Sequence, residues 1–129
     1  MTSAVQHRVR TQDGIALAAD CYGHDDARPV VLLLHGGGQN RHAWSTSARR
    51  LHACGYTVVA YDTRGGGDTV LDTPDRTASY ALERLAEDFW AVVDSIPDRD
   101  GPVHVFAHDW GSVQMWEPLR DSRARVDVA

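Results

Sequence analysis

Cysteine is scarce: the 129-residue chain holds only Cys21 and Cys54, far apart and in no C-x-x-C pair. That excludes a disulfide framework and a cysteine-built zinc site, and free thiols in a reducing compartment are expected. Long apolar runs are also missing. No segment approaches the roughly 20 apolar residues a membrane-spanning helix needs, so no membrane association is expected. The first residues, Met1 to Arg8, lack the apolar centre of a signal peptide, which points to a cytoplasmic location. Positive charge is in deficit, with 13 Lys and Arg against 18 Asp and Glu and a formal net charge of -5. The arginines are scattered and build no basic face, so nucleic acid is excluded as a partner. His7, His24, His42, His52 and His104 fall in no metal-ligand spacing such as H-E-x-x-H, and no metal or cofactor is expected. No repeat, low-complexity tract or linker interrupts the chain, and 43% hydrophobic with 24% charged residues describes one ordinary globular domain over residues 1–129.

The apolar residues present are arranged in short blocks. Val5 to Arg10 alternates apolar and polar, Asp13-Gly14 is a tight-turn pair, and Ile15 to Asp20 resumes an extended pattern, which predicts a β-hairpin at a sheet edge. Val30-Val31-Leu32-Leu33-Leu34 and Thr57-Val58-Val59-Ala60-Tyr61 are continuous apolar runs of the kind that parallel strands covered on both faces require. Trp44, Ala48 and Leu51 recur at helical spacing ahead of Gly55, predicting a helix from about Trp44 to Cys54. A turn-rich stretch from Asp68 to Ala78, including Asp72-Thr73-Pro74-Asp75, precedes the strongest amphipathic signal. There Leu82, Leu85, Ala86, Phe89, Val93 and Ile96 share one face of a helix. Pro97 to Pro102 forms a loop, Val103 to Phe106 a third strand, and Val113, Met115, Trp116 and Leu119 a last helix. Arg125 to Ala129 alternates like the start of another strand. Strands alternating with helices imply a parallel sheet whose loops share its carboxyl edge, where open α/β sheets bind ligands.

Three motifs fall on that edge. His35-Gly36-Gly37-Gly38 follows the first parallel strand, and Asp62-Thr63-Arg64-Gly65-Gly66-Gly67 follows the second. Ala107-His108-Asp109-Trp110-Gly111-Ser112 follows the third and opens a helix. A strand that bends sharply into a helix with small residues beside the tip presents the tip side chain to solvent, as in the G-x-S-x-G nucleophile elbow. Here the tip is the carboxylate of Asp109, which is ionised at neutral pH and able to attack a carbon bearing a leaving group, forming an ester. Aspartate is also a favoured helix N-cap, so the motif has a structural reading in which Asp109 only caps the helix after it.

Taken together, the H-G loop, the D-x-R-G-x-G loop and the elbow resemble the α/β-hydrolase fold. The Asp109-Trp110-Gly111 version is similar to its epoxide hydrolase and haloalkane dehalogenase branch. Residues Val103 to Glu117 are similar to the hydrolase part of proteins that fuse an epoxide hydrolase to a short-chain dehydrogenase. The fold class implied is α/β: the N-terminal part of a hydrolase sheet, an edge hairpin followed by parallel strands with covering helices, truncated after the elbow helix. The resemblance makes Asp109 the nucleophile and gives the backbone N–H groups of Gly37 and Trp110 to an oxyanion hole. His35 and Gly36 become parts of the supporting loop, with Asp62 and Arg64 bracing it by hydrogen bonds. His35 and His108 read as structural, because the family's base arrives on a late loop.

Epoxide hydrolases of this branch usually carry an aromatic residue and a proline after the H-G pair, and dehalogenases an asparagine that grips halide. Gly37 and Gly38 stand there instead, which favours an epoxide over a haloalkane substrate. A serine esterase is disfavoured, since Ser112 lies inside the helix beyond the tip. The family mechanism is two-step: the aspartate opens the epoxide to an alkyl ester while cap tyrosines donate to the ring oxygen, and a histidine-activated water releases the diol. The order nucleophile, acid, histidine puts the last two beyond Ala129, so the expectation is an epoxide-hydrolase-like portion without the catalytic histidine and acid. Its partner would be a small apolar epoxide if the protein were completed. The alternatives are a dehalogenase-like hydrolase, or a non-catalytic module that forms a homo-oligomer or takes a partner chain at the truncated sheet edge.

Overall fold

The computed structural model describes residues 4–23, 29–71, 80–96, 102–120 and 126–128. The hairpin forms as β1 (Val5–Arg10) and β2 (Ile15–Tyr22), antiparallel, with β1 on the outside of the sheet. The two apolar runs become β3 (Val30–Leu34) and β4 (Thr57–Tyr61), and the strand before the turn at Asp109 is β6 (Val103–Ala107). The sheet runs β1-β2-β4-β3-β6-β7, where β7 is Val126–Val128 and a short β5 (Val70–Leu71) pairs with β2 off this path. β3 lies parallel to β4 on one side and to β6 on the other, and β7 lies parallel to β6.

Both faces of the central strands are covered, which is why β3 and β4 are apolar without alternation. Leu32 and Leu34 of β3 point into the larger cluster with Leu17, Tyr61, Val103 and Val105. Against that cluster packs α2 (Leu82–Asp94) through Phe89, Trp90, Val92 and Val93, where the Phe89 and Trp90 rings meet edge-on at 5.1 Å. Val31 and Leu33 point the other way, to Ala48 and Leu51 of α1 (Ser45–Ala53). Each such buried side chain contributes about 1.5–3 kcal/mol, so the period-2 division of β3 between two helix layers fixes its register.

Two boundaries differ from expectation. The helix expected from Trp44 starts earlier, as a 3-10 turn over Arg41–Trp44 capped by the Asn40 side chain, before α1 begins at Ser45. The last helix is broken into α3 (Trp110–Gln114) and α4 (Trp116–Leu119). Pro118 has no N–H to return to the Gln114 carbonyl, so a continuous helix is interrupted there. Within the stretch read as turn-rich, β5 pairs with β2, while positions 72–79, with the turn read at Asp72-Thr73-Pro74-Asp75, lie outside the described residues. Of the strand read over Arg125 to Ala129, Val126–Val128 is present as β7, and positions 125 and 129 lie outside the described residues. No helix among the described residues is long and apolar enough to cross a membrane.

The carboxyl ends of the three central strands are flush. Leu34 is in register with Tyr61 on one side and Ala107 on the other, so His35, Asp62 and His108 leave the sheet side by side. α1 and α2 cover opposite faces and β4 and β6 flank β3, which makes the gap between the ends of β3 and β6 a topological switch point.

Candidate active site

Asp109 sits in that gap with φ 58° and ψ -119°, and among the described residues it alone has a positive φ without being glycine. A non-glycine side chain in this region costs of order 1–3 kcal/mol and persists only where the surroundings enforce it. The enforcement is visible. The Gly111 N–H donates to the His108 carbonyl, and the Ser112 and Val113 N–H groups donate to the Asp109 carbonyl, so helix α3 starts directly at the turn. The Asp109 carboxylate does not cap that helix. It turns instead to the β3 loop, where Oδ2 accepts the Gly37 N–H at 3.1 Å.

The backbone N–H of Trp110, then that of Gly37, hold the Asp109 carboxyl below the usual carboxylate range, with His108 adding a smaller electrostatic contribution. The carboxylate is exposed and therefore ionised and reachable. Trp110 follows it with 44% of its surface exposed, and Val113 and Trp116 are exposed further along. Ser112 is inside α3, its hydroxyl donating to the Ala107 carbonyl at 2.9 Å.

Small residues are required where the two loops meet. A Cβ at Gly111 would stand 2.7 Å from the His35 carbonyl oxygen and 2.9 Å from that of Leu34, both backbone atoms, and a Cβ at Gly36 would stand 2.9 Å from the His108 ring. Gly111→Ala is therefore expected to lower stability by about 1–3 kcal/mol, as overpacking against an unyielding backbone does. Urea unfolding followed by far-UV circular dichroism measures it; an unchanged midpoint would show that the β3 strand end yields.

His35 is committed elsewhere. Its Nε2 accepts the Thr63 N–H at 3.1 Å, which leaves Nδ1–H to donate to the Gly36 carbonyl at 2.8 Å. With both ring nitrogens engaged and the residue buried, it ties the β3 loop to the β4 loop.

Asp62 and Arg64 do not pair with each other. Buried Asp62 takes Arg41, through its backbone N–H at 2.6 Å and through its guanidinium, and also the Asp68 N–H at 2.7 Å. Arg64 reaches away from the loop to buried Asp88 on α2, donating from Nε at 2.7 Å and Nη2 at 2.6 Å, and to Asp13 in the hairpin turn, from Nη1 at 2.9 Å. Bidentate guanidinium–carboxylate pairs of this kind fix orientation as well as position. The Arg64 hydrogen bond, against a smaller opposing effect of burial, holds the Asp13 carboxyl down at about 2, from an ordinary 3.8. A carboxyl depressed in the folded state adds stability above its unfolded value, and that contribution is lost as pH falls from 3.8 towards 2. Asp13→Asn is expected to flatten the acid-unfolding curve in that window and leave its slope near neutrality unchanged; an identical slope across the window would refute the pairing.

Sequence reasoning missed Arg41, Asp88 and Asp20. Asp88 carried a signal, since it lies on the same face of α2 as Leu85 and Val92, where an unpaired carboxylate would not be tolerated. Arg41, in a polar stretch, carried none. No cluster of metal-ligating side chains occurs among the described residues.

The described residues thus hold an exposed carboxylate on a strained strand-to-helix turn at a sheet switch point, facing a glycine loop. Residues 29–127 match the family model described as alpha/beta hydrolase fold, and the chain belongs to that family. It is similar to the protein named probable oxidoreductase EphD of Mycobacterium tuberculosis H37Rv, 36% identical over 128 residues, covering 99% of this chain and 21% of that one. It is also similar to epoxide hydrolase 2 of Siraitia grosvenorii, 30% identical over 112 residues, covering 87% of this chain and 33% of that one. Among solved structures, epoxide hydrolase VrEH1 from Vigna radiata superposes with a TM-score of 0.82 at 32% identity, covering 95% of this chain and 36% of that one. The chain thus spans about a fifth to a third of the length of these relatives.

Proposed function

We propose that this chain carries the alkylating half of an epoxide hydrolase, with Asp109 as nucleophile on an elbow and the N–H groups of Gly37 and Trp110 as its oxyanion hole. The observation that carries the reading is the 3.1 Å bond from the Gly37 N–H to Asp109 Oδ2. It commits Oδ2 to the Gly37 N–H, and in this reading Oδ1 makes the attack. In the first step Oδ1 bonds to a ring carbon, the carbon–oxygen bond of the epoxide breaks, and its electron pair stays on the ring oxygen, which takes a proton. Oδ2 then becomes the carbonyl oxygen of a hydroxyalkyl ester. Water attacking that ester drives negative charge onto Oδ2, where the same two N–H groups stabilise it before the ester collapses to a diol and free Asp109.

His35 is engaged at both nitrogens and is not available to activate water; as the resemblance implies, the base would arrive on a later loop. Gly37 and Gly38 offer no side-chain donor to a departing halide, which favours an epoxide over a haloalkane. The oxidoreductase name belongs to a relative of which a fifth is matched; the loop after β3 here is aimed at a carboxylate. The proposal includes a small apolar substrate, a cytoplasmic location in keeping with only two cysteines set far apart in the sequence, and continuation of the sheet beyond β7 by further chain, a second copy or a partner. Incubation with styrene oxide, followed by intact-mass analysis, tests it: gain of one epoxide mass on Asp109 supports the reading, and an unmodified protein at long times refutes it. Gain of an alkyl mass from a bromoalkane, with none from the epoxide, would favour the dehalogenase alternative.

A further inference from the structure

The segment Gly36-Gly37-Gly38 has no side chain with which to hold its own shape, and glycine backbone is the most permissive there is. The direction of the Gly37 N–H therefore depends on bonds made by the residues that flank the three glycines. At one end His35 is tied to the Thr63 N–H. At the other stands Arg41, 4% exposed, whose Nε lies 3.0 Å from Asp20 Oδ2 on β2 and whose Nη1 contacts Asp62 Oδ2 and, at 3.1 Å, Asp68 Oδ2. Its backbone N–H binds the second oxygen of the same Asp62 at 2.6 Å. Between these ends the loop is closed on itself, with the Gly36 N–H donating to Gln39 Oε1 at 3.1 Å and the Gln39 N–H donating to the Gly36 carbonyl at 3.2 Å.

Both ends of the glycine loop are thus fastened to one neighbour, the Asp62–Thr63 corner, and that corner is fastened through Arg64 to α2 and to the hairpin turn. Burying a guanidinium among carboxylates is a poor way to gain stability alone, because desolvation offsets most of the attraction. What it supplies is geometry: a main-chain and a side-chain bond from one residue to the two oxygens of one carboxylate leave little freedom of position or rotation.

We infer that Arg41, acting through Asp62, is a positioning residue that sets where the Gly37 N–H stands relative to the Asp109 carboxylate. Its consequence for catalysis rests on the function proposed above, whereas the positioning itself does not. In Arg41→Met the loop end is released, the Gly37 N–H drifts from Oδ2, and Asp109 keeps Trp110 as its main donor. Arg41→Lys keeps a charge near Asp62 but cannot span Asp20, Asp62 and Asp68 together, and falls between the two.

The test is an NMR titration of the intact chain, reading the Gly37 amide proton and the Asp109 side-chain carboxyl carbon, assigned with Asp109→Asn. His108 faces the same carboxylate, so its ring is followed in the same titration. Arg41→Met is expected to move the Gly37 amide proton upfield and to raise the Asp109 midpoint by roughly half a pH unit, with Arg41→Lys showing a smaller change in the same direction. Alkylation by styrene oxide should slow by about tenfold in Arg41→Met. A folded Arg41→Met with both signals at their wild-type values overturns the inference. If that variant fails to fold, Arg41→Lys decides in the same way. Signals that move with Arg41 in a chain that styrene oxide never modifies would uphold the positioning role while removing the function proposed for Asp109.

Discussion

Asp109→Asn is expected to slow covalent capture of styrene oxide by at least about a thousandfold, since a carboxamide has no anionic oxygen to attack with. The substitution is close to isosteric, and asparagine tolerates positive φ as well as aspartate does, so the turn itself should survive. Loss of reaction in a folded variant then reports chemistry. The dependence on pH has a definite sign. Because the Trp110 and Gly37 N–H groups hold the carboxyl below its usual range, the capture rate should stay level from neutrality down through the ordinary carboxylate titration and fall only below it. Fragmentation of the adduct should locate the added mass at Asp109. Equal capture by wild type and variant would mean that another side chain reacts, and the nucleophile would have to be sought elsewhere.

The second large effect concerns stability. Arg64→Met is expected to cost about 3–5 kcal/mol, because it strands the Asp88 carboxylate in the core with no counter-ion. Arg64 and Asp88 side chains are 0% and 2% exposed. Burial already pushes the Asp88 carboxyl up against the opposing pull of Arg64, and without the arginine it rises further. A group whose folded-state value is raised binds its proton more readily when folded, so the deficit of Arg64→Met should shrink as pH is lowered from neutral. Adding Asp88→Leu should recover much of the loss, since removing both partners of a buried pair costs far less than removing one. Denaturant unfolding of the two single variants and the double measures the coupling, and strictly additive effects would show that the pair is not an energetic unit.

How much of this was legible in the sequence follows from which interactions are local. β3, β4 and β6 were readable because a strand buried on both faces needs an unbroken apolar run, and Val30 to Leu34 and Thr57 to Tyr61 are such runs. The turn at Asp109 was readable because Gly111 must be small, since a Cβ there would stand within 3 Å of the Leu34 and His35 carbonyl oxygens. The helix starting at Trp44 was misjudged at its first turn, since Asn40 caps a 3-10 segment without apolar periodicity. The ionic connections were not readable. Asp62 and Arg64 stand two residues apart and both read as braces of the glycine loop, yet their side chains leave in different directions, one to Arg41 and the other to Asp13 and Asp88. Nothing in linear order announces a partner that arrives from another layer of the fold.

The level ends of β3, β4 and β6 make the sheet a ruler for the chemistry. Sliding β6 by one residue against β3 would carry Asp109 about 3.3 Å along the strand axis and swing it to the opposite side, beyond reach of Gly37. The spacing between the Asp109 carboxylate and the Gly37 amide therefore depends on the hydrogen-bond ladders as well as on the loop tethers at His35 and Arg41. Insertions in connections remote from this edge should leave that spacing untouched, so the outer segments of the fold can vary widely while Asp109 and Gly37 stay in alignment.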